Sequence, residues 1–189
     1  MALLNNGTNS NAVNNAVNNS VPKSITGSVT GLISALSNLV VAIKVLKWVA
    51  WNAHWSARGP NSYSDHLLME RIYSKLDNQT DSVVENILGY SGTFGVSFNQ
   101  STWAISVEQS VLASLSQLLR NREETISPAC VLKATESVKY QCNVAMEQYK
   151  SLTADSEATA SVVLGLEDLI PAISKKMDTF VYLLQQRGQ

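Results

Sequence analysis

Apolar residues recur at Leu32, Leu36, Leu39, Val40, Ile43, Leu46 and Ala50, the three-and-four spacing of a helix that buries one face. The pattern predicts a helix A from about Gly31 to Ala57, stopped by the turn formers Arg58-Gly59-Pro60-Asn61. A helix B is expected from about Ser64 to Leu88, with Ser62 or Ser64 as its cap and Gly89 and Gly92 ending it. The stretch from Ser91 to Ser101 is rich in Gly, Ser and Asn and reads as loop. Residues 102–121 return to a helical pattern, with Val111, Leu115, Leu118 and Leu119 as the apolar stripe. Ser127-Pro128 is a helix start, a capping residue followed by proline in the first turn, and helix C should run from there to about Thr153. The last helix spans roughly Glu157 to Gln186, and Pro171 inside it is expected to kink or split it. No strand pattern of comparable length appears. The fold class is therefore all-α: an antiparallel four-helix bundle with an extra short helix between helices B and C.

The first 22 residues depart from this pattern. Eight of them are Asn, mixed with Ser, Thr and small apolar residues. Such a segment buries too little surface to offset the entropy of ordering it. Residues 1–24 are thus expected to form a flexible Asn-rich tail, and 25–189 the bundle domain. Apolar residues make up 45% of the chain, enough for a real core in one domain. A net charge of −1 does not call for a nucleic-acid partner. The apolar stretch from Ile25 to Trp51 is broken by Ser, Asn and two lysines, so it reads as a core helix and not a membrane span. No secretory signal is visible, so a cytoplasmic protein is expected, and the Asn-x-Ser/Thr matches at Asn6, Asn18, Asn78 and Asn99 carry little weight. Cys130 and Cys142 lie twelve residues apart. On one helix that is about 18 Å, beyond the roughly 7 Å that a disulfide spans. Both are expected to be buried thiols in a reducing compartment.

The chemistry of the chain concentrates between residues 54 and 85. His54 follows Ile43 by eleven residues. That is about 1100° of helical turn, so the imidazole points within roughly 20° of the core-facing stripe. Taken alone, it reads as a hydrogen-bonded core histidine. His66 and Glu70 are four apart on helix B, as are Asp81 and Glu85, so each pair shares one helical face. Either pair alone reads as an ordinary solvated face. The distance between the pairs is more telling. Fifteen residues separate His66 from Asp81, about 22 Å along a helix, too far for one subunit to bring both pairs to one metal. A twofold axis near the middle of helix B would set His66 and Glu70 opposite Asp81 and Glu85 of a second copy and build the site twice. Imidazole and carboxylate ligands without thiolate suit iron, and also zinc or manganese. Two irons bridged by a carboxylate would deliver two electrons to one oxidant.

The segment WNAHWSARGPNSYSDHLLMERIYSKLDNQTDSVVENILGY, residues 51–90, resembles the Dps family, the miniferritins. The family's pattern is His-Trp, a Gly-Pro-Asn turn, a second His twelve residues after the first, an acid four further on, then Asp and Glu four apart. Here these are His54-Trp55, Gly59-Pro60-Asn61, His66, Glu70, Asp81 and Glu85. Residues 155–184 are similar to the family's last helix. The resemblance implies a ferritin-like bundle assembled into a hollow dodecamer, with a ferroxidase site at each twofold interface. It implies that His54, His66 and Glu70 come from one subunit and Asp81 and Glu85 from the other. Ferrous iron would be oxidised there by hydrogen peroxide or oxygen and stored as ferric mineral, suppressing oxidative damage. Trp55 stands where the family places an aromatic beside the site, and core packing is its alternative reading. The chain departs from the family at Ser62, Asp65 and Glu70, where Phe, Leu and Asp are usual. Asp65 has two readings, a carboxylate that binds or guides iron, or a charge at a helix start. Asp155 and Glu157 are candidates for acidic pores at threefold axes, and solvated loop acids explain them equally well. Family members that bind DNA often use lysine-rich tails. The first basic residue here is Lys23 and the C-terminus offers only Arg187, so DNA binding by the tails is expected to be weak or absent.

Overall fold

The computed structural model describes residues 23–119, 126–154 and 157–187, so residues 1–22 of the expected tail lie outside the described residues. The first helix, α1, spans Lys23–Ser56. It starts earlier than its strongest periodicity, because Val29 extends the stripe one turn upstream and is fully buried. Gly27, Ser28 and Thr30 are weak helix formers, and the core contact outweighs their propensity. The helix is long and apolar enough to cross a membrane, but the bundle accounts for that apolarity: Leu32, Leu36, Leu39, Ile43 and Leu46 are all fully buried in it.

Helix B is not one continuous element. It consists of α2, Ser62–Tyr73, and α3, Leu76–Thr93. At the junction the Lys75 N–H bonds the Ile72 carbonyl three residues back, a local tightening of the helix. Ile72 and Leu76 on either side are both fully buried, so the core face runs through the break. No glycine or proline marks it. Gly89 and Gly92 do not end α3, which continues to Thr93. Gly95 is the terminator, at φ 62°. The Val96 N–H bonds the Ser91 carbonyl at 3.0 Å and the Gly95 N–H the Gly92 carbonyl at 3.4 Å. These are the two bonds of a glycine-closed helix end, which takes up orphan carbonyls. Gly95→Ala is expected to lower stability by about 1–2 kcal/mol, the cost of a Cβ in the left-handed region. Urea unfolding checks it, and an unchanged midpoint would mean that this end tolerates another conformation.

The next helix, α4, spans Gln100–Leu119. Asn99 caps it, its side-chain oxygen accepting from the Thr102 N–H at 2.9 Å. Helix C is α5, Pro128–Ala154, with proline in its first turn as expected. The last helix is split into α6, Glu157–Val163, and α7, Gly165–Gln185. The split falls at Leu164, and Pro171 lies within α7. Proline denies the Glu167 carbonyl its helical donor. Both residues are exposed, so water can bond that carbonyl in its place.

Contacts between the helices fix their directions. Gly31, early in α1, lies against Gln148, late in α5, so α1 and α5 are antiparallel. Lys139 of α5 pairs with Asp178 of α7, and Tyr149 meets Glu167, so these two are antiparallel as well. Arg187, just past α7, reaches Ser64 at the start of α2, so α7 runs against α2 and α3. It follows that α3 and α5 run the same way, and their connection must cross the length of the bundle. That is the work of α4, whose 20 residues cover about 30 Å. It runs alongside α1, where the Trp103 Nε1–H bonds Ser37 Oγ at 2.9 Å and Lys44 pairs with Glu108. A four-helix bundle with one long crossover is the ferritin-like topology. Cys130 and Cys142 are buried and free, and burial pushes the Cys142 thiol up to about 12, so it behaves as an apolar core residue.

Candidate metal centre

His54 sits in the last turn of α1, where the final carbonyls have no helical donor. The Arg58–Asn61 turn reverses the chain, helped by Gly59 at φ 85°. It brings α2 back so that His66 lies over His54. The two imidazole rings stack with centroids 3.6 Å apart and planes 26° off parallel. Each ring also meets the other residue's backbone. His54 Nδ1 is 3.0 Å from the His66 carbonyl oxygen, and His66 Nδ1 is 3.2 Å from the His54 carbonyl oxygen. A carbonyl only accepts, so each Nδ1 must carry the proton. That fixes the tautomer and leaves each Nε2 with a free lone pair, the arrangement found in metal-ligating histidines. Glu70, one turn beyond His66, completes the group. One ligand atom from each of His54, His66 and Glu70 lies within 4.8 Å of the others.

Glu70 is exposed and His54 is partly enclosed, so the cluster opens at the surface of the bundle. Tyr73 stands edge-on to the His54 ring, with centroids 5.4 Å apart. Sequence reasoning passed it over, although it follows His66 by seven residues and so shares its face. Asp81 and Glu85 are exposed on one face of α3, outside this cluster. Asp65 is also outside it. Its Oδ1 lies 3.5 Å from Arg187 Nε and is buried. Asp155 lies outside the described residues, and Glu157 opens α6. Trp55 is exposed and in ring contact with Trp51, at 4.8 Å between centroids. Neither tryptophan is core: with Trp48 they form an exposed stripe along α1.

No protein-family profile matches the chain. A DNA protection during starvation protein from Brevibacillus brevis is 26% identical over 134 residues, covering 71% of this chain and 78% of that one. The fold is similar to the crystal structure of a Dps protein from Vibrio cholerae, described as belonging to the ferritin-like diiron-carboxylate proteins. The TM-score is 0.54 at 18% identity, over 87% of this chain and 92% of that one.

The chain is similar to Dps proteins in sequence and in fold.

Dps92 from Deinococcus radiodurans superposes with a TM-score of 0.43 at 20% identity, over 82% of this chain and 87% of that one. Here the first three expected ligands converge within a single copy of the chain, and the last two face outward from α3. The turn between α1 and α2 explains why the convergence needs no long-range contact. His54 and His66 flank a single turn, and Glu70 follows on the same helix.

Proposed function

We propose that the protein is an iron-oxidising and iron-storing miniferritin whose metal centre is completed by a second copy of the chain. The observation that carries this reading is the His54–His66–Glu70 group, two imidazoles with their tautomers set by reciprocal carbonyl contacts and a carboxylate beside them. Three ligands hold one metal weakly and leave open positions. Asp81 and Glu85 of the partner subunit would fill them, which explains why this pair faces solvent here. Trp48, Trp51, Trp55, Leu67 and Leu88 are exposed on the same three helices. Large exposed apolar side chains on the helices that carry the ligands fit a contact surface, and a twofold contact would cover them while building two sites. Twelve subunits around a hollow interior are the assembly the family resemblance implies.

Ferrous iron is the substrate. Imidazole and carboxylate ligands suit it, and zinc or manganese would compete for the same positions. Two ferrous ions at one site give one electron each to hydrogen peroxide. The O–O bond breaks, and two ferric ions and two hydroxides result. Oxygen is the alternative oxidant. Storage of the ferric product would remove both reactants of hydroxyl-radical chemistry and protect the cytoplasm from oxidative stress. Asp155 and Glu157 remain candidates for guiding iron inward. The described lysines and arginines form no tail of positive charge, so DNA compaction is the weaker reading.

The test is ferrous oxidation followed by absorbance, with peroxide and with oxygen in separate runs. Oxidation well above the protein-free rate in at least one run is expected. A rate equal to the protein-free control with both oxidants would leave a helical cage without ferroxidase activity.

A further inference from the structure

The contact between Arg187 and the start of α2 lies beside the metal centre, although Arg187 follows Ser64 by 123 residues. Asn61, the residue before α2, makes no side-chain capping bond, so the first turn is not held in the usual way. Arg187 supplies the missing hold. Its Nη1–H bonds Ser64 Oγ at 2.6 Å, and the Ser64 hydroxyl in turn donates to the Asn61 carbonyl at 3.0 Å. The other arm faces Asp65, with Nε 3.5 Å from Oδ1. That oxygen is buried and makes no hydrogen bond of its own. Arg58 lines the cavity next to Asp65, but its guanidinium is bonded to the carbonyls of Trp55 and Ala57. Arg187 is the only ion-pair partner of Asp65 among the described residues. A carboxylate with one oxygen buried that loses its one cation is left with an unpaired, half-enclosed charge.

The next residue is His66. Its ring and its carbonyl both engage His54, so any shift of the first turn of α2 changes the spacing of the two imidazoles. We propose that Arg187 is a positioning residue for the metal centre: it clamps Ser64 and Asp65 and so sets His66 against His54. This rests on the metal-centre reading above. It also gives Asp65 a task other than guiding iron, since its carboxylate is turned to the end of α7. The clamp couples the residue just past the end of α7 to a site built from α1 and α2.

The probe is cobalt(II), whose visible absorption reports the geometry of an imidazole-carboxylate site without any oxidation. Titrations compare the wild type with Arg187→Ala, Arg187→Lys and the double variant Arg187→Ala/Asp65→Asn, with helix content and assembly size measured on each. Arg187→Ala is expected to weaken cobalt binding about tenfold, the scale of a lost supporting contact, and to alter the band, with helix content unchanged. The double variant should recover part of the loss, because it removes the unpaired charge whose Oδ1 is buried. Arg187→Lys keeps the charge without the two-armed contact and should fall between. If Arg187→Ala does not assemble, Arg187→Lys decides, and wild-type affinity and band shape in it overturn the proposal. Wild-type binding in Arg187→Ala overturns it too. Absence of a cobalt band in the wild type overturns the metal-centre reading itself, and the clamp with it.

Discussion

His66→Ala is expected to reduce the fast phase of ferrous oxidation about 100-fold or more, to the rate of iron in buffer. Two losses add up in this variant. The site loses one imidazole ligand directly. It also loses the N–H that meets the His54 carbonyl and the ring that stacks on His54. His54 keeps its contact to the backbone carbonyl of residue 66 but is no longer packed in place. The reverse variant, His54→Ala, should be as severe for the same two reasons. The fold should survive both, because neither ring belongs to the apolar core formed by Leu36, Leu39, Ile43, Met69 and Ile72. The measurement is stopped-flow absorbance on variants matched to wild type in helix content. A variant that keeps more than about a tenth of the rate would show that His66 is not a ligand.

The second large effect tests whether the site is shared. Asp81→Ala should be inactive like His66→Ala, since each removes a ligand from every site. Mixed in equal amounts and reassembled, the two inactive variants should regain about a quarter of the wild-type rate. The reason is combinatorial: each site draws its imidazoles from one subunit and Asp81 from another, and each draw is intact half the time. A site built within one subunit would regain nothing, because every chain in the mixture carries a defect. Recovery near zero, with mixed assembly verified by a mass-tagged subunit, would sink the shared-site reading and leave the His54–His66–Glu70 group as the complete centre.

The helices and the histidine pair were legible in the sequence for separate physical reasons. The stripe from Leu32 to Ala50 is a helix because burying one face requires that period, and the structure buries those residues. Ser127-Pro128 starts α5 because proline needs no helical donor in the first turn. Breaks were read less well. The junction at Ser74–Lys75 has no glycine or proline, and the core face is continuous across it, so periodicity passes over it. Gly89 and Gly92 signalled an end that came instead at Gly95. A glycine in a helix costs only about 1 kcal/mol, and buried Tyr90 and Phe94 hold the extra turn. Pro171, expected to kink or split the last helix, lies inside α7, because the exposed Glu167 carbonyl it leaves without a donor can turn to water, and the split falls at Leu164.

The sequence by itself determined which residues carry metal-ligating side chains and which pairs share a face, because both follow from side-chain chemistry and the helical period. It placed His54, His66 and Glu70 as candidate ligands before any contact was known. The tertiary structure decided what those residues do to one another. Reciprocal Nδ1–carbonyl contacts, stacked rings and the grip of Arg187 on Ser64 and Asp65 depend on how three helices meet in space. Spacing along one helix carries no information about a partner that is 123 residues away.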